Sequence, residues 1–560
     1  MVGDLSVRRA MSRLHHKTAE QRRVVEGMRQ RAEALTASGR ASAKAKQVKP
    51  PPLCFLEVAG EGDLRRSFFP DGMLSGVAIG VSDALDVREF RTRYGTESQL
   101  LHQMPHTEFS FVSWLRRHGA QFIGKLACQT PLSMGEASVL VPECPAAVAV
   151  YQNACNYAIG SALMGPAALT SPIHYDVAAF KPTAQSFATF TDGYKLDIPS
   201  MSIGVTAARL DDIFYLWEVF TSAIQPSYLQ EENRRESNSG SSKTTSGSTG
   251  IEHDNNASSV SSRGSSSNKI GTNSSNSTSS NSSGSSGIGG GGGGRGVGGR
   301  GGGVRKSRLT DYKSWDTINM FASNEELRGR HIELSVGYPA DWIDTLCKER
   351  LLSADEFRRR ILRLATTQNA MRKNELLEVI PVTLNIDIEV VVNAIQTIFF
   401  YEISRAFDTI FTPESHNRNK ASSPSNANAM SQFGLLDELP DGLVTAIFNG
   451  RALTNLDYQR ALQTRDSVVR ATEEQFLDVD LIVTPILSEP YVNGSLRSIG
   501  PLLPFSLGGN PMVSLQLEAG FPVALIGELG RDTGLFEDCT KFLEFVRGTS
   551  PPWWRRKFMR

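Results

Sequence analysis

The chain has 560 residues, 40% of them hydrophobic, and its 59 basic side chains are balanced by 59 acidic ones. The length suffices for one large core or several smaller ones. The balanced charge argues against a general nucleic-acid-binding protein, which carries excess positive charge. The six cysteines include no CxxC pair, which excludes a disulfide-stapled secreted module and a zinc ribbon. The longest charge-free stretch, 144–175, is broken by prolines and amides, so we predict buried interior rather than a membrane span.

The first 52 residues are rich in arginine and lysine and end in a run of prolines. A basic helical composition of this kind resembles a mitochondrial presequence, although presequences are usually poor in the acidic residues that occur here. The alternative is a solvated basic extension of the folded protein. We therefore expect a separate extension over 1–52, with a mitochondrial location under the first interpretation and a cytoplasmic one under the second.

Two polar segments interrupt the rest of the chain, at 236–306 and 412–432. The first is almost entirely Ser, Asn, Thr and Gly. It cannot bury enough apolar surface to offset its ordering entropy, so we predict disorder. Its end carries Arg295, Arg300 and Arg305 among glycines, which could contact RNA. No aromatic residues are interleaved for base stacking, so an inert insertion fits this composition better.

The two remaining blocks, 53–235 and 307–550, alternate strand-like and helix-like segments. This alternation predicts an α/β fold with a mixed or parallel central sheet flanked by helices. Because neither block has a complete sheet, we take them as one large domain interrupted by the disordered insertion. The predicted strands are 77–81, 120–124, 331–336, 480–485 and 521–526, and the predicted helices are 109–118, one starting near 146, 353–374, 452–476 and 535–546.

Five motifs occur in the order typical of amidase-signature enzymes, and the chain resembles that family over about 50–550. The segment Leu327–Pro339 and the motif spacing are similar to the A subunits of glutamyl-tRNA(Gln) amidotransferases. The resemblance implies the amidase-signature fold, and amide hydrolysis or amide transfer through a Ser–cis-Ser–Lys triad. The motifs are Leu74–Val87, Leu115–Lys125, Phe180–Thr183, Asp480–Pro485 and Pro504–Pro511.

Counting from these motifs gives the triad positions that the resemblance implies. The family's lysine falls at Ser82, its bridging serine near Glu143 and its nucleophile at Ala167. A serine hydroxyl cannot act as a neutral amine base, and alanine has no nucleophilic atom. In the oxyanion loop, Gly165 is followed by Pro166, which has no backbone N–H to donate. The resemblance therefore implies a degenerate triad with no catalytic position intact.

Other candidate chemistry is sparse. Cys144 or Cys155 with the downstream His174 could form a nucleophile pair, but buried unreactive cysteines are much commoner. Glu143 and Asp83 could form a carboxylate pair, although nothing in the sequence places them together. No motif indicates a metal or a cofactor.

We therefore interpret the chain as a catalytically inactive amidase-like protein that acts as a structural or assembly subunit with protein partners. One alternative is an active amidase or amidotransferase A subunit that forms glutaminyl-tRNA. Another is a small-ligand binder that uses the old substrate cleft with Glu143 as its polar anchor. The tail 551–560 is aromatic and basic, as membrane-interface or RNA contacts can be, or it folds on its own domain.

Overall fold

In the computed structural model, all described elements belong to one structural unit, which is formed by Met1–Pro226 and Arg328–Arg560. The predicted insertions 236–306 and 412–432 and the tail 551–560 lie outside the described residues. The structure describes residues 6–14, 17–44, 54–93, 104–105, 107–127, 145–163, 166–173, 175–184, 199–221, 331–347, 352–369, 375–411, 439, 441–487 and 496–547.

An eleven-stranded mixed sheet forms the centre of this unit, with the strand order β1-β3-β2-β4-β6-β5-β10-β11-β9-β7-β8. Pairing is parallel where β2 meets β3 and β4 and where β7 meets β8 and β9, and antiparallel elsewhere. The strands are β1 Phe55–Val58, β2 Ala78–Ser82, β3 Gln121–Leu126, β4 Tyr157–Leu163, β5 Ala178–Lys181, β6 Met201–Ala207, β7 His331–Pro339, β8 Glu375–Val382, β9 Leu481–Pro485, β10 Met512–Glu518 and β11 Phe521–Ile526.

Helices cover the sheet, and two 3₁₀ segments, Pro166–Ile173 and Leu496–Leu502, complete the described elements. Within the described part of the chain, every helix is too short or too polar to span a bilayer. The helices are α1 Val7–Leu14, α2 Thr18–Lys44, α3 Glu61–Ser67, α4 Ser110–Arg117, α5 Pro145–Tyr151, α6 210–221, α7 Ala340–Leu346, α8 Ala354–Asn369, α9 Ile388–Phe411, α10 Asp441–Ala452, α11 Asn455–Gln475, α12 Leu503–Gly508 and α13 Asp532–Arg547.

The two blocks of the sequence share this one sheet. Strand β5 of the first block pairs antiparallel with β10 of the second, and Phe180 lies opposite Val513. Neighbouring residues of β10 point to opposite faces, so Val513 belongs to one buried core cluster and Met512 to another. The predicted α/β fold with a mixed central sheet flanked by helices is confirmed.

The N-terminal helices α1 and α2 pack on the core. Their apolar residues recur every three or four positions, which gives each helix one apolar face. The backbone N–H of Val7 donates to Asp212 Oδ1 at 2.6 Å, so the first turn of α1 is capped by a side chain 205 positions away. The residues of this face that are buried in the main cluster are Val7, Ala10, Met11, Leu14, Val25, Met28 and Ala32.

Hydrogen bonds also fix α2 to the folded core. Ser75 Oγ donates to Gln21 Oε1 at 3.2 Å, and Arg31 Nε donates to the carbonyl of Asn153 at 2.7 Å. The sequence predicted a separate extension over 1–52, whereas the structure packs 6–14 and 17–44 onto the folded core. The prediction was based on the Arg and Lys content of this segment, which reflects the outer faces of the helices, and the spacing of the apolar residues was not considered.

Candidate functional site

A row of small side chains crosses seven neighbouring strands of the sheet. Residues directly opposite each other in register share a face of the sheet, so all members of the row point to the same side. Small side chains leave the backbone of the sheet accessible to a covering segment. The row consists of Gly80, Ala158, Thr206, Ala179, Ser514, Ala524 and Thr484.

The 3₁₀ segment Pro166–Ile173 lies over this row. It packs against β4, β5, β6, β10 and β11. Gln516 lies two residues beyond Ser514 on the same face, and its Nε2 donates to the carbonyl of Pro172 at 2.7 Å. Leu169 of the segment is fully buried. The fold thus places Ala167, where the resemblance puts the nucleophile, in a segment that covers the sheet.

Ser82 ends β2 on this same face, because it lies two residues beyond Gly80. Its side chain is buried, and its Oγ accepts a hydrogen bond from the backbone N–H of Ala84 at 3.4 Å. Ala84 and Leu169 belong to the same buried cluster. The structure therefore brings the strand end at Ser82 and the 3₁₀ segment to one side of the sheet.

The other predicted site residues divide into two groups. Asp83 is buried, and its Oδ1 accepts from the backbone N–H of Arg93 at 3.2 Å. Pro166 begins the 3₁₀ segment. The rest lie outside the described residues, so the carboxylate pair and the cysteine–histidine pair stay predictions. These are Glu143, Cys144, Gly165 and His174.

Lys125 lies on the strand next to Ser82 but on the other face of the sheet. Its partner in the β2–β3 register is Val81, whose side chain points away from that of Ser82. Lys125 is fully buried, and its Nζ donates to the carbonyl of Leu85 and to Thr92 Oγ1, the latter at 3.3 Å. This amine is therefore directed away from the face that carries Ser82.

Lys181 lies two residues after Ala179, the member of the row on β5, just as Ser82 lies two residues after Gly80 on β2. Because β5 and β2 run in the same direction, Lys181 and Ser82 share a face and lie at the same end of the sheet. Three strand spacings separate them, which is about 14 Å. The Nζ of Lys181 donates to the carbonyl of Asn510 at 2.9 Å and to that of Pro182 at 3.3 Å. Burial lowers the pKa of Lys181 to about 7, although the nearby carboxylate of Asp532 acts in the opposite direction.

A network of hydrogen bonds surrounds Lys181 and joins the two blocks. Thr183 donates from its N–H to Asp532 Oδ1 at 2.8 Å and from Oγ1 to Oδ2 at 2.7 Å. Asn510 Nδ2 donates to Glu473 Oε1 at 2.7 Å. The sequence marked Lys181 and Thr183 only as parts of a motif. It gave no signal for Asp532 or Glu473, because their partners are distant in the chain.

Two hydroxyls of the row, Ser514 Oγ and Thr484 Oγ1, are buried without a hydrogen-bond partner in the described part of the chain. A buried hydroxyl without a partner is destabilising, so these atoms mark polar surface on the sheet face that carries the 3₁₀ segment. Sequence reasoning missed both residues. Thr484 was marked only as part of the strand and family motif Asp480–Pro485, and no pattern marked Ser514.

Cysteine and metal chemistry gain no support from the described residues. Burial raises the pKa of the Cys155 thiol to about 12, so it is protonated at neutral pH and a poor nucleophile. No group of three His, Cys, Asp or Glu side chains within the described ranges could hold a metal ion.

No protein-family model matches the sequence, and no curated protein matches it. Solved structures do match. An amidase aligns over 94% of this chain and 99% of its own, with a TM-score of 0.53 and 18% identity. Fatty acid amide hydrolase aligns over 98% of this chain and 86% of its own, with a TM-score of 0.54 and 11% identity. The structure of 6-aminohexanoate cyclic dimer hydrolase with its substrate aligns over 95% of this chain and 96% of its own, with a TM-score of 0.51 and 13% identity. The chain therefore has the amidase-signature fold that its motifs predicted.

Proposed function

We propose that this chain is a catalytically inactive amidase-like protein that serves as a structural or assembly subunit of a larger complex. The observation that carries the proposal is the serine at the end of β2. Ser82 stands where the resemblance places the base, and its hydroxyl is hydrogen-bonded to the adjacent backbone. A serine hydroxyl titrates far above neutral pH and cannot start the proton relay.

Neither buried lysine near this end of the sheet replaces that base. Lys125 points to the opposite face, and Lys181 lies about 14 Å across the sheet from Ser82. The amines of both are within hydrogen-bond distance of backbone carbonyls. The low pKa of Lys181 is therefore better explained by burial inside a structural network than by a catalytic role.

The nucleophile position argues the same way. Ala167 has no atom that can attack a carbonyl carbon, and Pro166 has no N–H to donate to an oxyanion. The motifs that build strands and turns still resemble the family pattern, whereas those at the triad positions do not. A chain that keeps the fold without the reacting groups can still present its surfaces to partners.

A structural neighbour supports the assembly role. A protein described in a vestigial complex that reveals the origins of an s-triazine catabolic enzyme aligns over 98% of this chain and 99% of its own. Its TM-score is 0.54 and its identity is 13%. The same fold thus occurs in a protein complex, and we extend that role to this chain.

Purification from the native cell tests the proposal. The full chain with a C-terminal tag should elute with other proteins in fixed ratio, at a mass well above its own 61.2 kDa. The same tag on an unrelated cytosolic protein is the control. A single species of about 61.2 kDa would contradict the subunit role. Release of ammonia from an amide substrate would instead support the active amidase, which is the main alternative.

A further inference from the structure

The outer faces of α1 and α2 form a strongly basic surface on a chain that is neutral overall. Residues 6–38, the part of these helices whose side chains the structure describes together with the residues that join them, contain eight Lys or Arg and three Glu residues. Since the whole chain has no net charge, this positive charge is concentrated at one end of the sequence. A charge asymmetry of this kind is typical of a surface that binds a polyanion.

Three arginines of this surface are exposed and lack an ion pair within the described residues: Arg13, Arg22 and Arg23. The nearby acidic side chains of α2 are paired with other cations, since Glu20 contacts Lys17 and Glu26 contacts Arg29. Glu33 also pairs with Arg29, and α1 contains no acidic residue, so the carboxylates of these two helices do not neutralise the three arginines.

Two aromatic residues, Phe68 and Phe69, extend this surface beside Arg22. The guanidinium of Arg22 lies 4.6 Å from the centroid of the Phe68 ring. The next residue, Phe69, is 48% exposed. A basic surface with a half-exposed ring beside it can contact a phosphate backbone and stack an unpaired base.

A membrane fits this surface less well. A helix that lies in a bilayer interface buries its apolar face among the lipids. Here that face is occupied by the protein core, where Val7, Met11, Val25 and Met28 are buried. Among the described residues of α1 and α2, no large apolar side chain is exposed.

We infer that the outer faces of α1 and α2, with Phe69, bind single-stranded nucleic acid through its phosphates and one stacked base. This site is distinct from Arg295, Arg300 and Arg305 of the low-complexity insertion, which the sequence alone suggested for RNA contact. It also goes beyond the proposed subunit role, and each can hold without the other.

The test is fluorescence anisotropy of the full chain with a labelled, unstructured 20-nucleotide RNA over a series of salt concentrations. The wild type should bind with a dissociation constant in the micromolar range. The triple variant Arg13→Gln, Arg22→Gln, Arg23→Gln should bind about ten-fold more weakly, and its dependence on log salt should fall by about 0.7 for each phosphate that the variant no longer neutralises. Phe69→Ala should weaken binding about five-fold without changing the salt dependence.

Two control variants make the outcome decisive. Arg359→Gln, Arg460→Gln, Arg470→Gln removes the same charge from exposed positions on α8 and α11 and should leave binding unchanged. A second triple variant, at Arg295, Arg300 and Arg305, should also bind as the wild type does. The inference is overturned if the wild type fails to bind, if either control loses as much affinity as the α1–α2 variant, or if the chain binds phosphatidylserine vesicles but not RNA.

Discussion

Thr183 and Asp532 lie 349 positions apart, yet they share two hydrogen bonds of 2.8 and 2.7 Å. The Oγ1 of Thr183 also accepts from the backbone N–H of Gly530 at 3.0 Å. All three bonds lie just beyond the β5–β10 pairing, so the carboxylate of Asp532 fixes the segment after β5 to the start of α13. This contact joins the two sequence blocks at the end of the sheet that carries Ser82.

Replacing Asp532 by alanine should lower the free energy of unfolding by about 2–3 kcal/mol, because it leaves the N–H and the hydroxyl of Thr183 without their acceptor. Urea denaturation of the variant and the wild type measures the loss. Asp466→Ala is the matched control, since the side chain of Asp466 is 62% exposed and its ion pair is on the surface. If both substitutions lowered the free energy of unfolding by the same amount, the Thr183–Asp532 contact would contribute no more to stability than a surface ion pair.

Lys181 should make stability depend on pH. Its amine is mostly neutral above about pH 7 in the folded chain but stays protonated up to about pH 10.5 when unfolded. Between these values the unfolded state binds more protons, so the stability of the wild type rises with pH, by up to about 1.4 kcal/mol per unit.

The variant Lys181→Met should lack this slope when unfolding is followed from pH 7 to pH 10. Lys17→Met is the control, because the side chain of Lys17 is 55% exposed, and it should keep the slope of the wild type. Parallel pH profiles for the Lys181 variant and the wild type would show that Lys181 is protonated in the folded chain.

Removal of the N-terminal helices should destabilise the fold. Deleting residues 1–44 exposes the core surface that Val7, Met11, Val25 and Met28 cover, and each such side chain contributes about 1.5–3 kcal/mol when fully buried. Thermal unfolding should show a large drop in Tm, or loss of a cooperative transition. Deleting only residues 1–5 is the control. A truncated protein as stable as the control would favour the presequence interpretation.

The sequence predicted the elements better than their contacts. The strand Phe521–Ile526 was predicted with its observed bounds, because a short apolar run is enclosed by Gly520, at a positive φ of 76°, and Gly527. The helix predicted over 452–476 in fact starts at Asn455. There Thr454 and Asp457 form a capping box that separates it from the preceding helix.

Contacts across long sequence distances were not predictable from one sequence. The partners of Val7 and Lys181 are 205 and 329 positions away, and no local pattern marks them. The same limit applies to the small-residue row, whose members come from seven strands of both blocks. Only the pairing register shows that Ser82 and Lys181 share a face while Lys125 does not.

Deleting residues 237–304 should leave the fold intact and raise the Tm slightly, because lengthening a loop costs only about 0.6 kcal/mol per doubling. Limited proteolysis of the full chain should cut this segment first. The two fragments should then elute together from a sizing column, since β5 and β10 pair within one sheet. Fragments that separate without denaturant would contradict the single-domain fold.

Rebuilding the triad alone should not restore activity. The variant Ser82→Lys, Glu143→Ser, Ala167→Ser supplies the three side chains but keeps Pro145 and Pro166, neither of which has a backbone N–H to donate to an oxyanion. One such donor is worth roughly 3 kcal/mol of transition-state stabilisation. An ammonia-release assay should detect no turnover for this variant. An amidase whose catalytic triad is intact is the positive control. Turnover with Pro166 still present would contradict this account.

The proposed absence of catalysis is tested most directly by treating the wild-type chain with a fluorophosphonate probe and measuring the mass of the intact protein by mass spectrometry. With no serine nucleophile at position 167, the mass should stay unchanged, while an active amidase treated in parallel gains one adduct. Incubation with glutamine, asparagine or an aryl amide should release no ammonia. An adduct that maps to Ser161 or Ser171, together with ammonia release, would show that the nucleophile position was misplaced and that the chain is an active amidase.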